Sequence, residues 1–357
     1  MRAAVTGVQR FAREITTRLG DLADVTLLAP RGVEPALRDV PVRKGRLRGH
    51  AWEQLELPRL ARAAGCDVTL HLSGTAPFHG GPHVMVIHDV LPLTNPEWYS
   101  RRFARWYGAV LPRAAKRAAG IITVSEHSRY EIERILGVHR RLAVVTQGLW
   151  PFDQPSPAET VERIRRSLRL PDRFLLAVGH GDPRKNHGFL VDVLSELERR
   201  GEAQELVVVG AVPSRVHGRA PALDGPNVRQ LDHVSDETLR ALYTAASVLL
   251  FPTLAEGFGR PPLEVAACGT PALIADLPAV AEPARSAGWA LPLVAGPWAD
   301  AIIAMARDPV LRASVVARGR AAGRALSWDA AARQVLDICT ATGAERPNRR
   351  PLHVTGA

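Results

Sequence analysis

Two parallel, doubly wound α/β domains are what this sequence predicts, and three observations carry that expectation. Short apolar runs alternate with helical patterns in two successive series. A proline-rich stretch without periodicity, LWPFDQPSP at residues 149–157, separates the two series as a linker. The length of 357 residues is enough for each series to bury a core of its own.

Composition narrows the class. With 46% apolar and 23% charged residues the chain reads as an ordinary soluble protein. The start, MRAAVTGVQRFARE, carries no apolar signal-peptide core, and the apolar runs fall short of a membrane span, so a cytoplasmic location is expected. Cys66, Cys268 and Cys339 show no CxxC spacing, which argues against a disulfide framework or thiolate metal site and makes them small core residues. The net charge of +10 lies entirely in the first half: residues 1–170 hold 26 Lys and Arg against 16 Asp and Glu, and the remainder 20 against 20. Such a half suits an anionic partner, a phospholipid surface or a polyprenyl phosphate, or else simply follows from an Arg-rich composition. No zinc-finger, RRM or helix-turn-helix pattern points to nucleic acid.

In chain order, TGVQRFAREITTRLG reads as a glycine turn at Gly7 running into an amphipathic helix with Val8, Phe11, Ile15 and Leu19 on one face. Strands are expected at 25–29, 68–72, 84–87, 121–124 and 143–145, with a basic loop, RKGRLR, at 43–48. The helix following Tyr99 mixes Arg101, Arg102, Arg105, Arg113, Lys116 and Arg117 with Phe103, Trp106 and Tyr107, a pattern suited either to core packing or to peripheral contact with an anionic membrane. Pro112 is expected to kink it. The second series places strands at 174–178, 206–209, 228–231, 248–251 and 272–274. A helix from Ser327 closes the fold, and the tail GAERPNRRPLHVTGA, without apolar pattern, reads as disordered. The domains are therefore drawn at 1–155 and 156–326, followed by a closing helix at 327–342 and a tail at 343–357.

Three strand-to-turn junctions could carry chemistry. Residues 249–276, LLFPTLAEGFGRPPLEVAACGTPALIAD, run from a strand through Pro252, Gly257 and Gly259 into a helix beginning at Pro261 or Pro262. This junction presents free amides to an anion at the carboxyl edge of a parallel sheet, flanked by Glu256 and Glu264 with seven residues between them. A plain turn and a helix N-terminal acid explain the same residues equally well. In LLAVGHGDPRKNHGFL a second glycine turn brings Arg184 and Lys185 to a helix start, with Asn186 placed to cap it. In VMVIHDV, His88 falls at the carboxyl end of a strand, where a lone histidine is either a packed residue or one that faces a cleft. Ser235 is a further N-cap candidate.

The 249–276 stretch resembles the E-x7-E signature of retaining GT-B glycosyltransferases of family 4, whose members read close to PSxxEGFGLPxLEAMACGTPVI. Here it is PTLAEGFGRPPLEVAACGTPALI, with Arg260 where the family has an apolar residue. DPRKN is similar to the family's VGxxxPRKN turn, IHD to its VxHD segment, and HAWEQLELPR to the WEQ…LPR helix of a subgroup. The resemblance implies a GT-B fold of two Rossmann-like domains across a cleft, the first of them lacking its first strand here, because only six residues precede Gly7.

It also implies roles. Lys185 and Arg184 hold the donor diphosphate, with Gly179, Gly257, Phe258 and Gly259 shaping the donor loops. His180 stands where many relatives carry an arginine. Val234 contacts the base by its backbone, Glu264 binds the ribose, and Glu256 and His88 face the donor sugar. Gly7 lets a phosphate approach the backbone. The expected activity is retaining transfer of a sugar from a nucleotide-diphosphate donor, GDP-mannose or similar, to a glycan or lipid-linked acceptor, without metal or cofactor. The alternatives are a catalytically degenerate nucleotide-binding or partner protein, for which His180, Arg260 and the short start speak, and a nucleotide-sugar epimerase.

Overall fold

A computed structural model describes residues 6–33, 40–139, 141–149, 151–179, 182–210, 223, 225–343 and 353–355. The chain forms two compact units. The first comprises residues 1–94, 104–148 and 326–357, and the second residues 95–103 and 149–325.

The second unit is built on a six-stranded parallel sheet. Its strands are β7 (Phe174–Val178), β8 (Glu205–Val209), β9 (Val228–Leu231), β10 (Val248–Phe251), β11 (Ala272–Ala275) and β12 (Trp289–Leu291), in the spatial order β12-β11-β10-β7-β8-β9. Chain order therefore reverses at β7, and the gap between β7 and β10 is the topological switch point, where the loops leaving the carboxyl ends diverge to opposite faces. Both faces are covered by apolar cores. Leu175, Leu190, Leu206 and Trp298 lie in one and Phe174, Leu249, Phe251 and Val265 in the other, which is why β7, β10 and β11 read as continuous apolar runs.

Residues 149–157 do not hang between units as a bare linker. Phe152 is buried against Tyr243 with ring centroids 5.5 Å apart, and Cys268 donates to the Gln154 carbonyl at 3.4 Å, so the stretch is anchored on the second unit. One buried aromatic supplies what periodicity did not reveal.

The first unit holds a seven-stranded parallel sheet. Its strands are β1 (Thr26–Ala29), β2 (Val42–Lys44), β3 (Thr69–His71), β4 (His83–Val86), β5 (Gly120–Thr123), β6 (Leu142–Val144) and β13 (His353–Thr355), in the order β2-β1-β13-β3-β4-β5-β6. Part of the expected basic loop forms β2, an exposed edge strand whose charges discourage further pairing. The tail is not structureless throughout: residues 353–355 pair with β1 on one side and β3 on the other, which corrects the expectation of disorder at these positions. No described strand precedes the helix Gly7–Leu22, and the central position is held by β13 instead.

Gly7–Leu22 is capped by reciprocal bonds between Thr6 and Gln9. Phe11, Ile15 and Leu19 are fully buried, whereas Val8, at the fringe of the first turn, is exposed. The closing helix Trp328–Gly343 packs on it, with Phe11 and Trp328 edge to face at 5.9 Å and Arg18 paired to Asp329 at 2.6 Å. The helix Arg101–Arg117 continues through Pro112. Within it Tyr107 is buried and Trp106 stacks on His50 at 3.9 Å, so these two aromatics serve packing. Burial raises the Cys268 and Cys339 thiols to about 12, in keeping with inert core residues. No described helix is long and apolar enough to cross a membrane.

In the second unit the helix Pro309–Gly323 crosses Arg260–Ala267 closely at Gly319, where an added Cβ would collide with the Ala287 carbonyl oxygen and the Ala266 methyl. Gly319→Ala is expected to destabilise by about 1–3 kcal/mol, as overpacking of a tight core does. The check is a lower urea midpoint at unchanged m-value.

Candidate active site

The switch point of the second sheet gathers the residues singled out from the sequence. After β7 the chain turns at Gly179, whose φ of +153° favours glycine. A Cβ there would also meet the Lys185 side chain at 2.8 Å, so the glycine makes room for the lysine stem. Asp182, 2% exposed, caps a short 3-10 turn over Pro183–Lys185 by accepting from the Lys185 amide at 3.2 Å. Asn186 does not cap the following helix with its side chain. It adopts a left-handed conformation, φ 52° and ψ 41°, which asparagine tolerates, and so turns the chain into His187–Arg199. His180 lies outside the described residues.

After β10 the second loop is stitched to the first. The Leu254 amide donates to the Arg184 carbonyl at 2.8 Å, and the buried Thr253 hydroxyl lies 3.2 Å from that same oxygen and from Glu256 Oε1. Glu256 is held on its other side through its amide to the Ala279 carbonyl at 2.9 Å.

Its carboxylate bridges both cations: Oε1 lies 2.5 Å from Lys185 Nζ and Oε2 lies 2.6 Å from Arg184 Nη1. The lysine ammonium also sits 5.1 Å above the Phe251 ring, a cation–π contact in a desolvated setting. Burial pushes the Glu256 pKa up, but the charges of Arg184 and then Lys185, with their hydrogen bonds, outweigh it and hold the group at about 2. The carboxylate is ionised at neutral pH.

The glycine loop continues through Gly257 and the buried Phe258 to Gly259, which has φ +77° and ends 2.5 Å short of an Ala284 methyl were a Cβ present. It opens the helix Arg260–Ala267. Glu264 is buried on that helix with both oxygens engaged. Oε1 takes Arg260 Nε at 2.8 Å, and Oε2 accepts from the Tyr243 hydroxyl at 2.9 Å. Burial, then the Glu264 charge, push the Tyr243 hydroxyl well above its usual pKa. Ser235 caps Asp236–Ala245 as expected, and Val234 packs at the edge of the core beneath.

Two residues expected at the site, His88 and Gly7, lie in the first unit. His88 follows β4 and packs edge to face on Phe11 at 5.0 Å, with Nε2 donating to the Leu72 carbonyl at 3.2 Å. Burial lowers its pKa to about 4, against a smaller upward pull from that carbonyl. The imidazole is therefore neutral at pH 7, and the Nδ1 lone pair is its acceptor. Gly7 is the first residue of its helix, and open space surrounds its α-carbon where a Cβ would stand.

Asp182, Thr253, Phe251 and Tyr243 belong to the same constellation and were not singled out from the sequence. Asp182 had a local signal, an aspartate ahead of a Pro-initiated turn. Tyr243 had none, since its partner lies 21 residues away on another helix. Among the described residues no group of three or more His, Cys, Asp or Glu gathers as a metal site.

Comparisons with known proteins point to glycosyltransferases. A family profile, Glycosyl transferases group 1, matches residues 160–321, and a second, Glycosyltransferase Family 4, matches residues 5–149. The two halves of the chain are thus each similar to a glycosyltransferase family. It is 28% identical over 266 residues to the O-antigen chain mannosyltransferase B of Escherichia coli, covering 71% of this chain and 69% of that one. The serotype-specific mannosyltransferase WbdA of E. coli is 29% identical over 230 residues, a match to 57% of this chain but only 27% of WbdA.

Among solved structures, a sucrose-phosphate synthase from Thermosynechococcus elongatus superposes with TM-score 0.74 at 19% identity, over 96% of either chain. Anabaena HepE, solved with UDP and glucose, gives 0.70 at 17% identity, over 94% of this chain and 96% of its own. At those identities the likeness establishes the fold, GT-B with two Rossmann-like domains.

Two outcomes are expected of this site. Because the folded Glu256 pKa of about 2 lies below the ordinary carboxylate value near 4.3, its stabilisation is complete above that value and is lost as pH falls toward 2. Urea unfolding of Glu256→Gln should show a shallower decline over this window than the parent. Replacing Arg260 with leucine leaves a buried carboxylate with Tyr243 alone, and a loss of about 3 kcal/mol is expected by the same measurement.

Proposed function

We propose that this chain transfers a sugar from a nucleotide-diphosphate donor to a glycan or lipid-linked acceptor with retention of anomeric configuration, and that it does so without a metal. The supporting observation is the bridged triad of Glu256, Lys185 and Arg184 at the switch point. In such a reaction the bond from the anomeric carbon to the diphosphate oxygen breaks, and the electron pair leaves with the phosphate. The acceptor oxygen bonds to the same carbon on the same face, and its proton passes to the departing phosphate oxygen. The developing charges are a spreading positive centre on the sugar and a growing negative charge on the diphosphate.

The two cations answer the second of these charges. Donor binding draws Lys185 and Arg184 onto the diphosphate, which releases the Glu256 carboxylate to accept hydroxyl hydrogen bonds from the sugar and to stabilise its positive charge. The buried Glu256 and the largely covered Arg184 and Lys185 side chains keep these interactions in a setting of lowered dielectric. Glu264 binds ribose and the backbone at Val234 the base, while Gly257–Gly259 supply amides to the phosphates. Relatives named as mannosyltransferases, one of them of the O-antigen chain, support a mannosyl donor such as GDP-mannose and a cell-surface polysaccharide as product.

Arg260 favours a second reading. Its guanidinium occupies the carboxylate assigned to ribose, as expected if the chain binds a nucleotide differently and serves as a partner without turnover. Calorimetric titration with GDP and UDP beside a donor-hydrolysis assay separates the two readings, because binding without hydrolysis or transfer supports the second.

Purified Lys185→Ala and Glu256→Ala should each lose on the order of 10²-fold or more in turnover, as removal of a preorganised electrostatic group does. The measurement is transfer or hydrolysis across a panel of nucleotide sugars. Near-normal rates in either variant refute the assignment.

A further inference from the structure

The alternation of side chains along a strand gathers three polar residues on one face of the first sheet. Thr69 and His71 stand two positions apart on β3 and so share a side, and Thr69 pairs in register with His83, the first residue of β4. All three are buried, at 8%, 3% and 4% exposure. The His71 and His83 rings meet edge to face at 5.4 Å, and His71 Nε2 lies 3.1 Å from the Thr69 hydroxyl. The face of a parallel sheet is ordinarily apolar, so two buried imidazoles on it call for polar partners.

His83 has such a partner on one side of its ring. Burial lowers its pKa, and a hydrogen bond with the Gly81 backbone pulls the other way without reversing the shift, so the ring is neutral at pH 7. Its Nε2 is buried and, among the described residues, without a hydrogen-bond partner. The bond to Gly81 is therefore made through Nδ1, which carries the proton, and Nε2 is left as an acceptor that lacks a donor.

His71 and His83 line a cavity of about 390 Å³ bounded by the sheet face, the helix Leu57–Ala64 and the loop at 77–82, a volume within the range of small-molecule sites. Its walls are braced. Gln54 donates to the Ala76 carbonyl at 3.3 Å and accepts from the Phe78 amide at 3.0 Å, which ties the loop to the approach of the helix. Gly80, with φ +134°, lets the loop pass so near Pro58 that a Cβ would lie 3.3 Å from the proline ring. Leu57, Pro58, Ala61 and Val68 make the lining largely apolar. Among the described residues no carboxylate lines it, and Arg62, its single fixed charge, is exposed. Burial lifts the Cys66 thiol to about 12, so that group is uncharged as well.

We propose that this cavity is a binding site for a small, largely apolar molecule that carries a hydroxyl donor, of the phenol or alicyclic alcohol class. The hydroxyl donates into the His71–His83 pair, where Nε2 of His83 is the open acceptor, and the ring lies against Leu57, Pro58 and Val68. A cation would meet no carboxylate there, and an anion would bring a second acceptor to one that already lacks a donor. The cavity lies beside the amino ends of β3 and β4, whereas His88 follows the carboxyl end of β4, and it uses no residue of the Glu256 triad. The proposal does not rest on the transferase reading.

The test is a titration of the full chain, labelled with ¹⁵N-histidine, with 2-naphthol, with 2-methoxynaphthalene of the same shape but no donor, and with 2-naphthoate. Saturable binding of 2-naphthol that moves the His83 Nε2 resonance is expected, with the other two probes weaker on the order of tenfold or more. His83→Phe should bring 2-naphthol down to the level of 2-methoxynaphthalene, and Ala61→Phe, which fills the cavity, should abolish binding of both. The comparison of the three probes on the parent chain stands even where a variant fails to fold. Absence of saturable 2-naphthol binding overturns the proposal. So does equal affinity for 2-methoxynaphthalene, tighter binding of 2-naphthoate, or binding that neither folded variant changes.

Discussion

A single carboxylate shared by two cations is the interaction on which the functional half of this protein depends. Glu256 lies between Lys185 and Arg184, and the three arrive from two loops separated by some seventy residues of chain. Like charges on adjacent residues repel, and a buried pair of cations without an anion is not tolerated. The carboxylate therefore fixes the relative position of the two loops as well as their charge. Every local feature around it serves that placement: the Leu254 amide on the Arg184 carbonyl, the Asp182 cap, the absent side chain at Gly179 and the aromatic face of Phe251 beneath the ammonium.

The location follows from topology. In a parallel doubly wound sheet the carboxyl ends of the two strands at the reversal open a gap, because the chain leaves them toward opposite faces. β7 and β10 are those strands, and the triad sits on the loops that leave them. Beside it, Glu264 takes a second arginine and a tyrosine hydroxyl, so both acidic residues of the E-x7-E pattern are ion-paired within the protein itself. A ligand that engages either must exchange with these partners, which ties its affinity to how readily Arg184, Lys185 and Arg260 change partner.

Much of this was legible from residue order. The runs at 174–178, 228–231 and 248–251 form β7, β9 and β10 with the expected bounds, and β7 and β10, buried on both faces, had to be apolar without interruption. The convergence of Lys185 and Glu256 was legible through a resemblance to known glycosyltransferases, not through spacing. What escaped has physical reasons. β2 is an edge strand of exposed Val, Arg and Lys, and β12 spans three residues, so neither leaves a periodic trace. β13 lies in a polar, proline-containing tail and becomes a strand through the two neighbours that flank it. Asn186 showed capping chemistry but performs a backbone role, since a left-handed turn was needed where the 3-10 turn meets the helix.

The sequence by itself determined the class of the molecule: two series of buried parallel strands, glycine turns at their carboxyl ends, and the charged residues those turns would display. Hydrophobic period and turn chemistry are local, and local order suffices to encode them. Only the tertiary structure decided which charges neutralise one another, that Arg260 and Tyr243 hold Glu264, and which strand stands at the centre of the first sheet. Those outcomes depend on contacts between residues far apart in the chain, where proximity is created by the packing of whole elements and leaves no mark on the residues between.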